Sequence, residues 1–104
     1  MTERTNHPVY YVVFFVTTYT SLAEAMAKAP EDIAAHRARS TQMHEQGTII
    51  MAGAFLDRPE EPLSTMAVLT SREAAEEFVR GDPFVVKGLV RDWHIREWAN
   101  MFAS

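Results

Sequence analysis

Val9-Tyr10-Tyr11-Val12-Val13-Phe14-Phe15-Val16 is apolar at nearly every position rather than at alternate ones. Its β-branched and aromatic residues make it a strand, Tyr10 to Val16, and the unbroken apolar character means that both of its faces are covered. The run is far too short to span a bilayer, and as a signal-peptide core it would need a basic leader, whereas Glu3 offsets Arg4. The polar residues Met1 to Pro8 before it read as a flexible N-terminal tail, with Pro8 at the edge of the first ordered element. Residues 9–104 are then one domain.

After the strand, Ser21-Leu22-Ala23-Glu24 has the form of a capping box and predicts a short helix through Ala29. Pro30 suits the first position of a second helix, with Glu31 and Asp32 in the turn where negative charge is favoured. That helix is predicted to run to about Glu45 and to stop at Gly47. Along it Ile33, His36, Ser40 and Met43 share one face, with Arg37 and His44 at its margin. Thr48 to Phe55 and Ser64 to Thr70 read as an antiparallel hairpin around the charged, proline-punctuated turn Asp57 to Pro62. Thr70-Ser71-Arg72-Glu73 is a second capping box, opening a helix that buries Ala74, Ala75, Phe78 and Val79 and ends at Gly81. A last strand, roughly Val90 to Trp98, places Trp93 and Ile95 on one face and Asp92, His94 and Arg96 on the other.

The order strand, helix, strand, strand, helix, strand is the split βαβ arrangement of an α+β, ferredoxin-like βαββαβ antiparallel sheet. Two helices cover only one face of such a sheet. Because the first strand is apolar on both faces, the other face is expected to be buried by a second copy of the chain, giving a homodimeric α+β barrel.

Composition narrows the function. The 104 residues, 47% of them hydrophobic, suit one compact domain with one core, and six Phe, six Met and two Trp are a generous apolar supply for covering a partner subunit or lining a pocket. Without cysteine the chain has no disulfide, thiolate nucleophile or Cys-ligated metal, a composition that suits a cytoplasmic location. A net charge of −4 with scattered Arg residues builds no phosphate-tracking stripe, so nucleic acid is not an expected partner, and neither is a membrane.

The chemistry-bearing candidates are His36 and Asp82. Asp82 lies in Gly81-Asp82-Pro83-Phe84, where an Asp before Pro is the expected N-cap of a further short turn, Pro83 to Gly88. A cap uses one carboxylate oxygen and leaves the other free. A helical imidazole titrates near working pH, and a carboxylate on one of its ring nitrogens fixes the tautomer so that the other accepts a proton. Tyr11, Ser64 and Phe84 are candidates to line a pocket beside such a pair. His7 and His94 have no recognisable partner spacing, and His44 is explained by the negative pole of its helix. Eight positions separate His36 from His44, not the one-turn spacing of helical metal ligands, so no metal is expected. No phosphate loop, serine elbow or paired-carboxylate pattern is present, and no cofactor is expected.

The chain resembles the YCII-related family of small bacterial proteins. The resemblance is carried by His36, Met43-His44-Glu45-Gln46-Gly47, Ile49-Ile50-Met51-Ala52-Gly53, the Ser64 strand, Ala74-Ala75, and Gly81-Asp82-Pro83-Phe84 with Gly88 and the closing strand. It implies a ferredoxin-like dimer related to the muconolactone-isomerase-like barrels, with a His/Asp site on His36 and Asp82. Two departures stand out: Ile33 where the family often has Arg, and Ala54 where it often has Pro. Arg37 is the candidate replacement for the missing Arg in substrate binding.

The expected function is a cofactor-free lyase or isomerase acting on a small aromatic or lactone-like molecule, with dehydrochlorinase-like chemistry among the options the resemblance implies. A cofactor-independent monooxygenase and a non-catalytic ligand-binding or assembly module are the alternatives.

Overall fold

The computed structural model describes residues 8–102. Eight elements follow in order: β1 (Val9–Thr17), α1 (Leu22–Lys28), α2 (Pro30–Glu45), β2 (Ile49–Ala54), β3 (Ser64–Leu69), α3 (Arg72–Gly81), α4 (Pro83–Val86) and β4 (Val90–Ala99). The strands form one antiparallel sheet in the order β2-β3-β1-β4, the ferredoxin-like arrangement, and β1 takes an inner position, as a strand apolar on both faces requires. Of the expected N-terminal tail, only Pro8 is among the described residues; its carbonyl accepts the Asn100 N–H at 3.0 Å. His7 lies outside them.

Register decides which side chains meet the helices. Val13 pairs with Ala67 and Ile95, and Phe15 with Thr65 and Trp93, so these share one face. There Val13, Phe15, Ile49, Ala67 and Leu69 join Ala75, Phe78 and Val79 of α3 in the main core, and the Phe15 and Phe78 rings stack with centroids 5.6 Å apart. Each large side chain so buried contributes about 1.5–3 kcal/mol. A second cluster, Tyr19, Ala25, Ala29, Leu63 and Phe84, fills the end of the domain where α1 meets α2 and α4. On the opposite face Val12 and Val68 are buried and Tyr10, Phe14, Val16 and Met66 half-buried, without a helix over them.

Local signals act much as expected, with small displacements. Helix α2 ends in a Schellman motif: Gly47, at φ 82°, donates to His44 O at 2.9 Å, and Thr48 N–H reaches Met43 O at 2.9 Å. Ser21 caps α1, accepting the Glu24 N–H at 3.0 Å, but the Glu24 carboxylate reaches back to Thr20 rather than to Ser21. The second cap slides by one residue: Ser71, not Thr70, accepts from Ala74 N at 3.0 Å. Thr70 is still engaged with the sheet, its N–H bonded to Thr48 O at 3.1 Å.

Helix α2 is unusual in that none of its sixteen residues is fully buried. It touches the domain through half-buried side chains, Ile33, His36, Arg39, Ser40 and Met43 among them. The helix therefore stands off the β2–β3 part of the sheet, and that gap is where the candidate site lies. Among the described residues no helix is long and apolar enough to cross a membrane.

Candidate active site

Asp82 is the residue at which α3 stops. The following proline disfavours helical backbone here, and Asp82 takes φ −65°, ψ 131°. Its side chain folds over the start of α4, where Oδ2 accepts the Phe84 N–H at 3.0 Å. The other oxygen, Oδ1, meets Nδ1 of His36, 46 residues earlier in the chain. Asp82 is only 1% exposed, so these two partners are what make a carboxylate tolerable there.

His36 is held from three directions. Asp82 fixes Nδ1, the Phe84 ring stacks on the imidazole at 4.9 Å and 24°, and the Phe78 ring lies tilted at 6.4 Å. An ionised carboxylate only accepts, so Nδ1 carries the proton in this contact, and in the neutral ring Nε2 is left with its lone pair. The side chain stays 20% exposed and borders a cavity of about 550 Å³ between α2 and the β2–β3 ladder. The floor is small and mostly apolar, Ala52, Gly53, Ala54 and Ala67, while His36, Arg37, Ser40 and His44 stand along the helical wall. An apolar chamber with a few convergent polar groups is the form that small-molecule sites take.

The structure brings His36, Asp82 and Phe84 together and leaves Arg37 exposed at the cavity rim. Tyr11 and Ser64, expected beside them, do not line this cavity. Tyr11 sits under the Arg72 guanidinium, 5.5 Å from its ring centroid, and donates to Glu97 at 3.2 Å. Ser64 pairs with Val16 and so lies on the far face of the sheet, bordering a second depression beside the 55–63 turn; its neighbour Thr65 lines the cavity instead. His94 stacks on Phe14 on that far face, at 4.9 Å.

Three features escaped the sequence. His44 does more than face a helix pole: its Nδ1 donates to the Ile49 carbonyl at 2.8 Å, and the residue lines the cavity wall. Ser40, one turn past His36, has a buried hydroxyl without a partner among the described residues. Arg39 reaches from α2 to the carbonyls of Glu77 and Phe78 near the end of α3, at 2.9 and 3.0 Å. The small-residue run Ala52-Gly53-Ala54 was the one available sign of a hollow above β2. Among the described residues no group of three or more His, Asp or Glu side chains is gathered as a metal site would be.

A family model described as the YCII-related domain matches residues 10–99. No curated protein matches the sequence. Among solved structures, 5-chloro-2-hydroxyhydroquinone dehydrochlorinase (TftG) from Burkholderia phenoliruptrix AC1100, in complex with 2,5-dihydroxybenzoquinone, is similar at 17% identity and a TM-score of 0.61, over 88% of this chain and 94% of that one. A candidate antibiotic biosynthesis monooxygenase from Nitrosomonas europaea aligns at 7% identity and a TM-score of 0.59, over 96% and 97% of the two chains. Protein SO0527 from Shewanella oneidensis aligns at 14% and 0.51, over 92% and 93%. At these identities the likeness is one of fold alone, the four-stranded antiparallel ferredoxin-like sheet with its helices.

Proposed function

This chain belongs to the YCII-related domain family, and on that premise we propose that it is a cofactor-free lyase or isomerase in which His36 and Asp82 move a proton on a small hydroxylated aromatic or lactone-like substrate. The observation that carries this reading is the contact between His36 Nδ1 and the buried Asp82 carboxylate. It leaves Nε2 as a base beside a chamber large enough for a single-ring molecule.

In this scheme Nε2 takes a proton from the substrate, and Asp82 stabilises the imidazolium that results. Phe84 and Phe78 hold the ring plane, and the apolar floor limits competing water. In an elimination of hydrogen chloride the reacting form is the keto tautomer, in which a hydroxyl proton has moved to the chlorinated ring carbon; a remaining hydroxyl proton then goes to Nε2, its electron pair moves through the ring as a second carbonyl forms, and chloride departs with the carbon–chlorine pair. Arg37 at the rim supplies positive charge for an anionic substrate oxygen or the leaving anion. The dehydrochlorinase among the structural neighbours makes a chlorinated hydroxyquinol the first substrate to try.

The assembly belongs to the same proposal. The far face of the sheet, with Tyr10, Phe14, Val16 and Met66 half-buried and no helix above them, is the surface against which a second copy packs.

The test is chloride release from a chlorinated hydroxyquinol, followed with an ion-selective electrode for the parent protein and for His36→Gln and Asp82→Asn. Positioned acid–base catalysis supplies about 10²–10⁴-fold, and each substitution is expected to cost a loss of that order. Undiminished rates in both variants end the proposal. Oxygen uptake coupled to turnover would favour the monooxygenase alternative, and tight binding without turnover the ligand-binding one.

A further inference from the structure

We infer that Arg39 is a positioning residue that holds His36 against Asp82, and that position 81 is glycine to make room for its guanidinium. The inference rests on the His36–Asp82 reading above, but its test needs no turnover.

Helix α2 carries His36 yet has no buried residue, so core packing alone does not set how it lies against α3 and α4. Arg39 supplies what is missing. It sits three residues past His36, on the neighbouring line of the same helix surface. Its two terminal nitrogens bond separate carbonyls, Nη1 to Phe78 O at 3.0 Å and Nη2 to Glu77 O at 2.9 Å, at the negative pole of α3. Its carbon Cζ lies 5.7 Å from the Phe78 ring centroid, and that ring is the one tilted against His36. A fork of two charge-assisted bonds fixes direction as well as distance. One helix thus grips the α3–α4 corner twice, through Arg39 on the backbone that precedes Asp82 and through His36 on Asp82 itself.

Gly81 is the second observation. It is the last residue of α3, and its φ is not positive, so its backbone conformation does not call for glycine. A Cβ at this position would lie 2.5 Å from Arg39 Nη2 and 2.9 Å from Cζ. The missing side chain is the seat of the guanidinium. An added methyl displaces the flexible end of Arg39 and leaves the helix itself intact.

The experiment follows the hydrogen-exchange rate of the His36 Nδ1 proton by NMR, alongside the melting temperature, in Arg39→Met, Gly81→Ala and the double variant, with disappearance of the Nδ1 proton signal in Asp82→Asn as the reference for a lost pair. Each single substitution is expected to speed exchange by about tenfold or more, the scale of a lost charge-assisted hydrogen bond. Gly81→Ala is expected to add nothing to the exchange rate once Arg39 is gone, because the nearest atoms its methyl meets are those of that side chain. Exchange that stays at the parent rate in Gly81→Ala, or effects that simply add in the double variant, overturn the role given to Arg39 while leaving the pair standing. Should Arg39→Met not fold, Gly81→Ala alone decides. An Nδ1 proton untouched by Asp82→Asn means that the pair does not exist, and the inference then falls with it.

Discussion

Asp82 Oδ1 contacts His36 Nδ1 across 46 residues of chain. The same carboxylate closes the first turn of α4 through Phe84 N–H, at 3.0 Å. The cap and the contact with His36 on which the proposed catalytic role rests therefore use one oxygen each of the same side chain, and substitutions can separate them.

Asp82→Asn preserves the cap, since an amide oxygen accepts from Phe84 N–H as a carboxylate does, and stability is expected to change by less than about 1 kcal/mol. The amide NH₂ then faces His36 Nδ1, which must accept, so the ring proton moves to Nε2 and the proposed base is lost. Asp82→Ala removes both contacts and is expected to destabilise by about 1–3 kcal/mol. Urea denaturation midpoints of the two variants check the contrast.

Filling the cavity tests whether it is the binding chamber. Ala52 is exposed and lines the floor opposite the helical wall, so Ala52→Leu adds bulk there without crowding the core. Overpacking costs about 1–3 kcal/mol, which predicts roughly tenfold or greater weakening of ligand affinity with little change in urea midpoint. Calorimetric titration with 2,5-dihydroxybenzoquinone, the ligand of the dehydrochlorinase neighbour, measures it.

Much of this fold was legible because its strongest signals are local. The all-apolar run of β1 required an inner strand, Gly47 required the helix end it makes, and Pro83 required the chain to leave α3 at Asp82. What was misplaced depends on register. Tyr11 and Ser64 are in the expected strands, but Ser64, paired with Val16, presents the far face, and Tyr11, on the helix-covered face, lies under Arg72 of α3 rather than beside α2. The slide of the α3 cap from Thr70 to Ser71 has a similar origin, a long-range backbone bond from Thr70, just past β3, to Thr48, just before β2. Arg39 was missed because a helical Arg without an i±4 partner reads as solvated; its partners are carbonyls almost forty residues away.

The proposed dimer has its own consequence. Phe14 is half-buried at the middle of the uncovered face, stacked on His94 at 4.9 Å. Phe14→Glu places a charge in the two-fold contact and, by symmetry, opposes it with its own copy. Sedimentation equilibrium is expected to give twice 11.8 kDa for the parent and 11.8 kDa for the variant. A parent of 11.8 kDa at micromolar concentration contradicts the assembly.

Acid sensitivity is expected at the start of α1. The Thr20 N–H first, and then the Thr20 hydroxyl, hold the Glu24 carboxyl below its ordinary 4.5, with Lys28 helping and partial desolvation opposing. A carboxyl with a depressed folded-state value stabilises fully above its unfolded value and loses that contribution as pH falls through the folded one. The melting temperature of the parent is therefore expected to exceed that of Glu24→Gln at pH 6, and the two to converge as pH drops below about 4.5. Parallel curves down to pH 3 would contradict this.

The central claim, that Asp82 locks His36 with Nδ1 protonated and Nε2 free, is tested most directly by the ¹⁵N chemical shifts of the His36 ring at a pH where it is neutral. An Nδ1–H tautomer is expected in the parent and an Nε2–H tautomer in Asp82→Asn. An Nε2–H ring in the parent, or averaged shifts that Asp82→Asn does not alter, would contradict it.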